Sequence, residues 1–193
     1  MTRHIARHAC QTLMAVALTT GLTQPASAET TKFVSNNAWA DFFMFDGSCT
    51  WTSVSVSRYG ASDSTVHTYI YYEVYDRCVG GDIVYGSGEI ANADFKVSSK
   101  RATANLQTDL NYDPNFYSLG VLGHLDIVWT IDKNISDRFE GRQESRRPEQ
   151  RVRQRGTWES FGAAATGSLI GLAIEGATAS VGKSRNVTVE IVR

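Results

Sequence analysis

The sequence predicts an all-β protein, a two-sheet antiparallel β-sandwich of about 8–10 strands, immunoglobulin-like or jelly-roll-like, with a closed β-barrel as the alternative. Three observations lead there. Apolar and polar residues alternate with a period of two in segment after segment, the pattern of a strand with one buried and one wet face. Clusters of Gly, Asp, Asn and Ser separate these segments. No segment carries a convincing apolar stripe at the helical period.

Residues 1–28 read as a secretory leader outside the fold. Arg3, His4 and Arg7 make a basic start, and Ala26-Ser27-Ala28 supplies the small residues of a cleavage site. The apolar run TLMAVALTTGL between them is about half the ~20 residues a membrane-spanning helix needs. Cleavage after Ala28 leaves residues 29–193 as one domain, secreted or periplasmic. Loss of Arg3 and Arg7 takes Lys plus Arg from 19 to 17 against 20 Asp plus Glu, a net charge of −3. That mild acidity argues against nucleic acid as a partner.

The mature strands follow in order. WADFFMFD (39–46) comes first, then TWTSVSVSR (50–58), where Thr52, Val54 and Val56 point inward and Trp51, Ser53, Ser55 and Ser57 outward. In VHTYIYYEVY (66–75) the core set is Val66, Thr68, Ile70, Tyr72 and Val74, leaving His67, Tyr69, Tyr71, Glu73 and Tyr75 on the other face. A hairpin with Arg58 near Val66 joins these two strands. Cys49 and Cys78, the two cysteines of the mature chain, clip its open end as a disulfide worth ~3–4 kcal/mol on loop-closure grounds.

Next come DIVYG (82–86), ADFKVS (93–98), RATANLQTDL (101–110, core side Ala102, Ala104, Leu106, Thr108 and Leu110) and HLDIVWTID (124–132, core side Leu125, Ile127, Trp129 and Ile131). GTWESFG (156–162), ATGSLIGLAI (165–174) and NVTVEIV (186–192, with Val187, Val189 and Ile191 inward) complete the set. The small residues of 162–174 would tolerate a helix, but its glycines and poor caps favour strand. Turns are expected at YGASDS (59–64), VGGD (79–82), YDPN (112–115) and EGATAS (175–180).

One stretch breaks the alternation. DRFEGRQESRRPEQRVRQR (137–155) holds seven arginines against Asp137, Glu140, Glu144 and Glu149 and too little apolar surface to bury. It predicts an exposed, mobile excursion over about 133–156. Its plain role is a solvated hairpin laced by salt bridges. Its functional role is an anion-binding arm through Arg146, Arg147, Arg151, Arg153 and Arg155, taking phosphate, sulfate, the lipid headgroups of an anionic surface or an acidic partner, since the guanidinium fork matches such groups bidentately.

Signatures of enzyme classes are missing. GxSxG, HExxH, the phosphate-binding loop, the dinucleotide fingerprint and the EF-hand are all absent. His124 and Asp126 share a strand face at i, i+2, the one arrangement resembling a base beside its orienting carboxylate. Asp109, Asp113, Asp126 and Asp132 are the carboxylates from which a glycosidase pair would be drawn. No metal site and no cofactor are expected.

The stronger signal is the outward row Tyr69, Tyr71 and Tyr75 with His67, extended by Trp51. Tyrosine presents a large apolar body with a polar tip, suited to sugar rings or a protein partner. The expectation is a non-enzymatic binding module for a glycan or another exported protein. A small hydrolase using Asp or Glu with His124, and a structural envelope protein, are the alternatives.

Overall fold

The computed structural model describes residues 28–78, 82–113 and 117–192. Residues 1–27 of the segment read as a leader, 79–81 of the turn expected at 79–82 and 114–115 of that expected at 112–115 lie outside them. The strands are β1 (Glu29–Phe45), β2 (Thr50–Ala61), β3 (His67–Asp76), β4 (Asp82–Ile90), β5 (Phe95–Val97), β6 (Arg101–Asp113), β7 (Tyr117–Arg147), β8 (Gln150–Leu169) and β9 (Leu172–Val192). No helix occurs among the described residues, and none is long and apolar enough to cross a membrane.

The all-β antiparallel fold follows the alternation. Its strands make one sheet, in the order β4-β3-β2-β1-β9-β8-β7-β6-β5, where the sandwich expectation divides them between two. The reason lies in the connections. Each strand returns beside its predecessor except β5, which pairs with β6 alone; β9 pairs with β1 as well as β8, and β4 pairs with β6, so no pairing carries the chain to a second sheet. Twist rolls this meander until β4 meets β6 over Ile83↔Asp113, Val84↔Tyr112 and Tyr85↔Asn111, and the circuit of pairings returns to its start.

The rolled body encloses an apolar core. Thr52, Val54 and Val56 of β2, Ile70 and Tyr72 of β3, and Ala102, Ala104 and Leu106 of β6 are buried, as are Leu125, Ile127 and Trp129 of β7. Each lies on the face its alternation assigned. Trp129 crosses the interior to donate from Nε1 to the Asp41 carbonyl at 3.1 Å, with its ring 6.3 Å from that of Phe42. Tyr72 meets the Thr108 hydroxyl at 2.5 Å, and burial pushes its phenol pKa up. Polar residues face outward from β6 and β7, Asn105, Gln107, His124 and Asp126 among them, whereas the outward face of β3 is aromatic.

The disulfide Cys49–Cys78 clips the open end of the β2–β3 hairpin. Asp46 Oδ1 accepts the backbone N–H groups of Ser48, Cys49 and Thr50 at 2.8, 3.0 and 3.0 Å, and these bonds hold its carboxyl at about 2. The hairpin pairs Tyr59 with His67 and Arg58 with Thr68, two residues along from the expected Arg58–Val66 register. An even shift leaves the side chains of β3 on their predicted faces; Val66, read as the first core residue, precedes the strand and is 42% exposed.

Three expectations change. The reversal between β8 and β9 falls at Ile170 and Gly171, with φ of 52° and 82°, inside the segment read as one strand. A two-residue primed turn needs positive φ at both centres, and Ile gives no sequence signal for it. EGATAS does not reverse the chain; it lies within β9, and Gly176 (φ 65°) sits at a register shift opposite Ala165 and Gly167. The charged stretch is strand rather than irregular excursion, with β7 running to Arg147 and β8 starting at Gln150.

That last change defines a second region. Beyond a register shift between Asp132 and Ser136, β7 and β8 continue past the body, joined by the far half of β9 and the start of β1. The result is a four-stranded arm, β7-β8-β9-β1. Val187, Val189 and Ile191 lie on it half-buried, not in the core. Half of the arm is a local hairpin, 136–147 against 150–161, whereas the pairing of β8 with the far half of β9, and of β9 with the start of β1, joins residues remote in the chain.

Candidate binding surfaces

The first surface is the outer wall of β1–β3. Register sets it out in rows: Phe45↔Trp51↔Tyr75, Phe43↔Ser53↔Glu73, Asp41↔Ser55↔Tyr71 and Trp39↔Ser57↔Tyr69. Ser53, Ser55 and Ser57 of β2 thus form a strip of small hydroxyls. Aromatic residues of β1 and β3 border it, about 10 Å apart at two strand spacings. Tyr69 and Tyr71 are 49% and 42% exposed, so the tyrosine face is bare. Tyr75, His67 and Trp51 are half-buried.

Polar contacts hold these rings in place. Tyr71 donates to Glu73 Oε2 at 2.5 Å, and Glu73 Oε1 accepts from Ser53 at 3.3 Å. His67 Nδ1 meets Glu89 Oε1 at 2.6 Å, a partner supplied by β4. Trp51 packs 4.7 Å from Phe43 and 4.6 Å from Phe45, and its indole N–H is buried without a hydrogen-bond partner among the described residues. Phe43 and Phe45 were legible as the outward positions of WADFFMFD, where Phe42 and Met44 take the inward ones.

The wall continues onto the arm through Trp39. Its ring lies over Gly182 of β9, where an added Cβ would run into it, and stacks on Trp158 of β8 with centroids 5.9 Å apart. Phe139, paired with Trp158, is 65% exposed. No local pattern announces this cluster, since its members come from four strands.

The second surface is the opposite face of the arm. Alternation places six of the seven arginines of 137–155 on it, with Arg147 alone on the other side. Lys183 and Arg185 join through the pairs Glu159↔Lys183 and Thr157↔Arg185. Three acids lace it. Glu144 Oε1 accepts from Nε of Arg146 at 2.6 Å and of Arg151 at 2.7 Å; Arg153 lies 3.7 Å from its other oxygen. Glu140 meets Arg155 at 2.6 Å and Arg142 at 3.2 Å, and Glu159 meets Lys183 at 3.1 Å and Arg138 at 3.6 Å.

Hydrogen bonds from Arg151 and Arg146 hold the Glu144 carboxyl at about 2, and those from Arg142 and Arg155 lower that of Glu140. The salt-bridge-laced hairpin of the plain reading is therefore present, with cations in excess.

The remaining sequence candidates are dispersed. His124 and Asp126 stand exposed on the open outer wall, opposite Gln107 and Asn105, and no hydrogen bond joins them among the described residues. Asp109 lies four residues along β6 from Asn105, about 13 Å, and Asp132 six along β7 from Asp126, about 20 Å. Both exceed the ~5–9.5 Å span of a glycosidase pair. The side chain of Asp113 lies outside the described residues. Cys49, Asp76 and Cys78 bring their ligand atoms within 4.8 Å of one another, but the cysteines are spent in the disulfide. Compared with known protein families, curated proteins and solved structures, the chain matches none.

Proposed function

We propose that this protein is an exported, non-enzymatic binding module that engages a glycan through the outer wall of β1–β3. One observation carries the reading: a serine strip bordered by exposed aromatic side chains on a rigid sheet. Sugar rings present apolar C–H faces and hydroxyl edges, which aromatic faces and serine hydroxyls complement respectively. Export is supported by the leader signature and by a disulfide, which persists in oxidising compartments.

A glycan array followed by titration of the best ligand tests the proposal. The Tyr69→Ala, Tyr71→Ala double variant should lose about tenfold or more in affinity, as truncation of a central aromatic pair does elsewhere. Unchanged affinity removes this wall from the account. A blank array with capture of one exported protein, abolished by the same variant, transfers the wall to a protein partner.

A further inference from the structure

Two depressions lie end to end on the charged face of the arm. The inner one, about 700 Å³, sits between the arm and the β2–β3 turn, bounded by Arg58, Arg138 and Lys183. The outer one, about 710 Å³, is bounded by Arg142, Arg153 and Arg155. Both include Thr157 and Arg185, so they form one trough. Seven cations line it against two acids, Glu159 and Glu144, in a chain whose formal net charge is −1.

Two of these cations lack a counter-ion. Arg185, where the depressions join, has no acidic partner among the described residues. Arg58 is half-buried at the inner end, bonded to neutral oxygens only, the Asn92 carbonyl at 2.6 Å and the Thr68 hydroxyl at 3.2 Å. Its guanidinium also lies 5.4 Å from the centre of the Phe95 ring, so its charge is held in place at the inner end without being neutralised.

We propose that the trough binds a linear polyanion, an acidic polysaccharide, laid along the arm from Arg58 to Arg153. Neither depression is lined by an aromatic side chain, so the stacking that single-stranded nucleic acid relies on has no platform. Asn36, Ser62 and Thr157 offer an amide and hydroxyls to sugar hydroxyls, and Val34, Val187 and Val189 lend apolar floor. A recess also suits a chain better than a bilayer, whose plane meets only its rim. This site is on the opposite face of the sheet from the aromatic wall and stands without it.

Titration of the purified protein with dextran sulfate tests this, with neutral dextran, an oligothymidylate and phosphatidylglycerol vesicles beside it. Dextran sulfate should bind with an affinity that falls steeply with salt, and neutral dextran should not bind. Arg153→Glu and Arg185→Glu should each weaken binding about tenfold, one desolvated contact's worth. Arg147→Glu, the same change of charge on the other face, should leave it within about twofold. Melting curves exclude misfolding, and Arg142→Glu, at a side chain 72% exposed, repeats the test where packing is not at stake.

Tyr69→Ala, Tyr71→Ala should leave dextran sulfate binding intact, which separates this site from the aromatic wall. Equal losses in Arg147→Glu and Arg185→Glu, binding of oligothymidylate or vesicles as tight as that of dextran sulfate, or no binding at all, would overturn the proposal.

Discussion

The body and the arm are built from the same strands yet are stabilised in different ways. Within the body β7 turns Leu125, Ile127 and Trp129 into a closed core; fifteen or so residues on, the same strand turns Arg138, Arg142 and Arg146 onto an open face. The body leaves almost no edge, because β4 meets β6. In the arm, β7 from Ser136 to Arg147 pairs only with β8, and its alternating Arg and Glu guard that edge against further pairing. Backbone pairing therefore suffices to extend a sheet, whereas apolar burial decides where it closes.

Truncating one tryptophan in each region is the sharpest way to break the comparison. Trp129→Ala, at a residue with 0% exposure, should cost about 3–5 kcal/mol in urea unfolding. Trp158→Ala, 36% exposed on the arm, should cost about 1 kcal/mol or less. Equal costs would mean that body and arm share one cooperative core.

Gly182 is the hinge of the next test, because its missing Cβ lets the Trp39 ring lie flat against β9. Gly182→Ala should cost about 1–3 kcal/mol through overpacking and part Trp39 from Trp158, read as a shift in tryptophan fluorescence. Unaltered fluorescence and melting would show that the ring moves aside freely.

The smallest effect concerns acid. The folded-state pKa of Glu144 is lowered from 4.5 to about 2, so its contribution is complete above about pH 4.5 and is lost as pH falls through about 2. NMR shifts of the β7–β8 hairpin should move near pH 2 and, in Glu144→Gln, lose that step. A step at the ordinary carboxylate pH would separate Glu144 from Arg146 and Arg151.

Much of the body was legible beforehand. Period two placed Thr52, Val54, Val56 and Tyr72 inside and Tyr69 and Tyr71 outside, because a strand has only two faces and burial chooses between them. The cysteine count named the disulfide. Register was less legible: β2 and β3 pair two residues from expectation, since loop length bounds a hairpin without fixing it. Arm residues such as Val187 and Val189 carry a core-like alternation but meet arginines, because nothing in their own segment says which strand lies opposite.

The sequence by itself determined strand content, the inward set of β2, β3, β6 and β7 within the body, and the disulfide, all consequences of local alternation and of a pair count with one solution. Tertiary structure alone decided that one sheet closes on itself, that the 137–155 hairpin is widened into a four-stranded arm by β9 and β1, and that Trp39, Trp158 and Phe139 meet. Those outcomes depend on pairings between residues far apart in the chain, such as β1 with β9, for which local preference holds no information.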